Sequence, residues 1–113
     1  MNKEIIILEI DSLIRTLNFI QEEQLFIKRK LSNFLENTFE LSILNWAEIL
    51  HQEILNRETA IQLLKNDILK LQHLVIQKKV VNQISDQLLI EAFKKIKLQV
   101  IYIETEFITW KNI

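Results

Sequence analysis

Ile6, Ile10, Leu13, Leu17, Ile20, Gln24, Ile27, Leu31 and Phe34 follow one another at alternating steps of four and three residues. That 3.5-residue spacing keeps one stripe of an α-helix turned toward a partner along its whole length. The pattern predicts a helix over about residues 3–35, with Gln24 as the one polar member of its seam. A second run, Ile43, Ala47, Leu50, Ile54, Arg57, Ile61, Leu64, Ile68, Leu71 and Val75, repeats the same steps. It predicts a helix over about 38–77, again with a single polar member, Arg57. Continued further, that register lands on Lys78, Asn82 and Ser85, so the seam stops after Val75. Leu89, Phe93, Ile96, Val100, Ile103, Phe107 and Trp110 form a third seam, which predicts a helix over about 85–111.

The chain of 113 residues contains no glycine, no proline and no cysteine, so its turns must be built from Asn, Asp, Ser and Thr. Asn37, with Glu40 three residues on, predicts a capping box that opens the second helix. Asn37 also suits the left-handed residue that ends a helix. Ser85 is the expected cap of the third helix, with Asp86 in the first turn and Ile84 and Leu89 placed as a hydrophobic staple. Short connections force neighbouring helices antiparallel. The expected fold is therefore all-α: one domain over 1–113, an elongated antiparallel three-helix bundle running up, down and up with coiled-coil-like packing.

The same absences exclude chemistry. Phosphate-cradling loops need Gly backbones, and disulfide frameworks and thiol nucleophiles need Cys. Two histidines without evident orienting partners, and no Gly-framed Ser, give no basis for covalent or acid–base catalysis, so the chain is expected not to be an enzyme and to carry no cofactor. No run of about 18 apolar residues exists to span a membrane. The N-terminal apolar run is broken by Glu9, Asp11 and Arg15, unlike a secretory leader, which makes the cytoplasm the default location.

Three sets of side chains remain as candidates. Glu48 and His51 form a Glu-x-x-His pair, the spacing by which bundle helices present two metal ligands; the pair supports an alternative reading as a metal- or small-ligand-binding bundle. The other histidine, His73, has Lys70 where the Glu would stand, and the antiparallel register sets His51 opposite Lys28, Arg29 and Lys30, which repel a cation. Those lysines, with Lys78, Lys79, Lys94, Lys95 and Lys97, raise a second alternative, a nucleic-acid-associated accessory bundle. A net charge of −1 and interleaved acidic residues argue against that footprint. Gln24 and Arg57 fall within about one turn of each other in the same register, with Glu104 and Glu106 nearby, and form an expected polar core layer.

The third set is apolar. Hydrophobic residues make up 49% of the chain, and many large ones lie off the seams. Among them Trp46, Tyr102, Leu55 and Leu69, together with the seam residue Trp110, are candidate interface residues, Trp46 and Trp110 falling toward one end of the bundle. An apolar face beyond a few hundred Å² marks an interaction surface. The function expected from sequence is thus non-enzymatic protein–protein association, with itself as a dimer or larger oligomer and with another helical protein.

Overall fold

A computed structural model describes residues 2–37, 39–77 and 87–111. Three helices account for nearly all of them: α1 (Lys3–Leu35), α2 (Leu41–Ile76) and α3 (Gln87–Lys111). Asn2 caps α1, its side-chain oxygen accepting from the backbone N–H groups of Glu4 at 2.8 Å and Ile5 at 3.3 Å. Glu4 in the first turn sits favourably at the positive end of the helix dipole.

The seams are where the helices meet. Every member of all three is buried or half-buried except Phe34, which is 50% exposed. Ile6, Ile10, Leu17 and Ile20 of α1, Ile61, Leu64, Ile68, Leu71 and Val75 of α2, and Phe93, Ile96, Val100 and Phe107 of α3 form one continuous core.

Polar pairs along the edges of that core fix the register. Gln72 donates to Asp11 at 3.2 Å, Lys65 to Gln21 at 3.0 Å, and Lys28 lies 3.6 Å from Glu58, so α2 runs antiparallel to α1. Lys97–Glu9 at 3.0 Å and Lys111–Glu23 at 3.4 Å keep one constant offset, so α3 runs parallel to α1. The result is a rod of 62 × 19 × 18 Å with a radius of gyration of 18.3 Å, against roughly 13 Å for a compact domain of this length. No described helix is long and apolar enough to cross a membrane.

α1 spans Lys3–Leu35. The break after it differs from expectation. α2 begins at Leu41 with Glu40 as its cap residue, and no side chain supplies the capping bond. The Glu40 carboxylate instead accepts from the Ser42 hydroxyl at 3.2 Å. Asn37 belongs to the end of α1: its N–H donates to the Phe34 carbonyl and its side-chain amide to the Asn33 carbonyl, each at 3.2 Å. An asparagine that closes one helix is not available to open the next, and the capping box does not form. No described residue adopts positive φ, so the left-handed ending is not used either. Thr38 and the expected cap of α3, Ser85 with Ile84 and Asp86, lie outside the described residues.

The register has one further result. Lys111, the last residue of α3, is level with Glu23 of α1, and Trp110 is level with Glu53 of α2. From Glu23 to Leu35 is 12 residues, and from Leu41 to Glu53 another 12, so the α1/α2 hairpin continues about 18 Å past the end of α3. Within that hairpin the only buried hydrophobic residues are Leu31 and Ala47, with Gln24 buried at its inner end. Phe93, buried in the three-helix section, and Phe34, in the two-helix section, should therefore respond differently to truncation. Phe93→Ala is expected to cost about 3–5 kcal/mol and Phe34→Ala less than half of that, read from urea midpoints at constant m-value.

Candidate protein-binding surface

Where α3 stops, α1 and α2 leave a groove. Its near end, of about 610 Å³, is lined by Phe26, Ile27, Trp46, Leu50 and Trp110, with Glu23, Lys30, Glu53 and Lys111 at the edges. It continues toward the α1/α2 turn as a space of about 270 Å³, where Leu31 and Phe34 join Ile27, Lys30, Trp46 and Leu50. The 4–3 spacing turns Ile27, Leu31, Phe34 and Leu50 inward, and over the three-helix section α3 covers the equivalent stripe. Here nothing among the described residues covers it. Phe26 is 54% and Trp46 56% exposed.

The edges of the groove are held in place. Trp110 donates its indole N–H to the Glu53 carboxylate at 3.1 Å and stacks at a tilt on Phe107, with ring centroids 6.1 Å apart. Arg57 lies over the Trp110 ring at 5.2 Å while its guanidinium pairs with Glu106 at 3.2 Å. Lys111 bonds Glu23, and Lys30 sits 4.5 Å above the Phe26 ring. Cations over ring faces hold aromatic side chains in place without covering them completely.

Charge divides between the walls. From Gln24 to Leu35, α1 carries Lys28, Arg29 and Lys30 and no acidic residue; from Leu41 to Asn56, α2 carries Glu48 and Glu53 and no Lys or Arg. A second groove, of about 590 Å³, lies between α2 and α3, lined by Ala60, Leu63, Leu64, Leu98, Tyr102 and Ile103, with Asp67, Lys95 and Gln99.

The candidates from sequence separate on these surfaces. Trp46 and Trp110 do come together, in the groove at the α1/α2 tip, and Tyr102 lies in the α2/α3 groove. Leu69 is exposed and Leu55 half-buried, and neither lines either of these two grooves. Glu48 and His51 are exposed on α2, as is His73. Among the described residues no three His, Cys, Asp or Glu side chains gather as a metal site would require. The polar layer divides: Arg57 joins Glu106, Glu104 lines a different crevice with Phe19 and Phe107, and Gln24 is fully buried with neither amide atom bonded to any described residue. Phe26, Lys30 and Phe34 were not singled out as interface residues in sequence. The available signal was that the third seam has seven members against nine and ten in the others.

No protein-family profile, no curated protein and no solved structure matches the chain.

A buried amide without a partner costs about 1–3 kcal/mol, and Gln24→Leu restores an apolar seam of nearly the same volume. The substitution is expected to raise unfolding stability by an amount in that range, measured by urea denaturation; a lower midpoint would show that the amide is bonded in solution.

Proposed function

We propose that this chain is a non-enzymatic helical-bundle protein that works by association, with itself and with a partner helix or protein, through its apolar grooves. The observation that carries the reading is the α1/α2 hairpin left without a third helix, where Phe26, Phe34 and Trp46 remain about half exposed. A compact monomer of 13.6 kDa exposes roughly 6,600 Å², and this chain exposes 7880 Å². The difference follows from the rod shape, but its composition bears on function. Leu63, Leu98 and Tyr102 in the α2/α3 groove are also each more than 60% exposed, adding a second apolar strip on the same molecule. Large apolar side chains gathered in concave strips, rimmed by ion pairs, are the usual anatomy of a helix-binding surface.

The test combines light scattering on the purified chain with affinity capture from the native host. Association predicts either a mass that rises above one chain, with a thermal midpoint that rises with concentration, or a partner retained by the wild type and released by the Trp46→Ser/Leu98→Ser double variant. A monomer at every concentration that also retains no such partner overturns the proposal.

A further inference from the structure

The tip groove lies on the line that α3 would follow if it continued past Lys111, since Trp110 and Lys111 form its near wall. A helix lying there would restore the three-helix cross-section over the remaining 12 residues of α1 and α2. Its identity is constrained by the wall it must meet. Of the charged side chains on the groove's rim, Glu23 is paired with Lys111 and Glu53 accepts from the Trp110 indole, which leaves Lys30 of α1 without a carboxylate partner among the described residues, on a stretch with no acidic side chain between Gln24 and Leu35. An occupant bringing further cations would be repelled. α3 is a poor occupant on this ground, because it carries Lys94, Lys95 and Lys97 within one turn.

The N-terminal half of α2 meets both requirements. It carries Glu48 and Glu53 and no Lys or Arg as far as Asn56, and it presents Trp46 on the groove wall and Ile49 three residues on, 56% and 63% exposed. Building on the association proposed above, we infer that the groove is filled by α2 of a second copy of this chain. The two hairpin tips then overlap antiparallel about a two-fold axis near Trp46 and Ile49. The contact is isologous: the same patch is donor and acceptor on both copies, which closes the assembly at two. In this arrangement each tip runs along its partner as far as the level of Lys111.

The area fits a modest dimer. At 150–250 Å² for a buried aromatic side chain, Phe26, Phe34 and Trp46 have roughly 250–400 Å² per copy left to bury. Ile49 and the helix flanks bring the total toward the lower end of specific interfaces, ~1,200 Å² over both partners.

Two arrangements of a dimer differ in length. Tip overlap of about 18 Å gives a particle about 105 Å long, built from two 62 Å rods. Pairing along the α2/α3 groove leaves the length close to that of one rod. Small-angle X-ray scattering with in-line light scattering on the full chain reads both mass and maximum dimension. The inference expects a doubled mass and the longer particle for the wild type, retained in Leu98→Lys and lost in Trp46→Lys. Phe34→Lys is the second tip variant, and helical content by circular dichroism decides which of the two is read. A dimer of single-rod length, or one that survives the folded tip variant and is lost in Leu98→Lys, places association in the other groove and overturns this inference while the functional proposal stands. A wild type monomeric at every concentration overturns the second copy as occupant, and the capture experiment then decides the functional proposal by itself.

Discussion

The packing of the α1 seam against the α2 seam is the one interaction that runs the length of this molecule, and the other features depend on it. α1 and α2 are 33 and 36 residues long, α3 only 25. Two helices paired along a single stripe each bury one face and leave the flanking positions wet; a third helix dries those positions, but only as far as it reaches. The continuous core therefore ends near Ile20, Ile61 and Phe107, and beyond it the same sequence pattern gives a different degree of burial. Ile27 and Phe34 occupy the same heptad position as Ile6 and Ile20, and Leu50 the same as Leu64 and Leu71, yet none of the three is fully buried.

The seams were readable because burial by a helix has one dominant period, and nothing in the chain interrupts it. Without Gly or Pro there is no residue that kinks a helix by its own backbone, so a 4–3 run could be followed until its apolar members ended. The break between α1 and α2 was less readable. Asn37 can serve the helix before it or the helix after it, and the choice depends on which set of unpaired backbone groups its amide reaches. It bonded the Asn33 carbonyl, and α2 was left to start at Leu41 without a side-chain cap. Helix existence is set by many residues together; a helix boundary is set by one or two competing bonds of similar strength.

The candidate surface was legible in outline. Placing Trp46 and Trp110 at one end required only the antiparallel order of the helices, which short turns enforce. Recognising that Phe26, Lys30 and Phe34 complete the groove required the level at which α3 ends, and that level is fixed by pairs such as Lys111–Glu23 that join residues 88 apart. The polar layer shows the same limit at finer scale. A register estimated from the turn locates Gln24 and Arg57 to within about one turn, whereas a hydrogen bond demands a donor and acceptor about 3 Å apart. Arg57 has a stem long enough to reach Glu106 across the helix interface; Gln24, shorter and facing the core, reaches no partner among the described residues.

Trp46 and Trp110 are the only tryptophans in the chain, and they share one groove. Trp110 is tied by its indole N–H to Glu53 and flanked by Phe107 and Arg57, while Trp46 stands half in solvent. The near-ultraviolet emission of the whole protein thus originates almost entirely from one end of a 62 Å rod. A red-shifted contribution comes from the open ring and a blue-shifted one from the held ring. The opposite end, where Lys3 donates to the Ile76 carbonyl, is optically dark. Events confined to that end leave the spectrum unchanged, and the fluorescence of this molecule is a reporter on its tip alone.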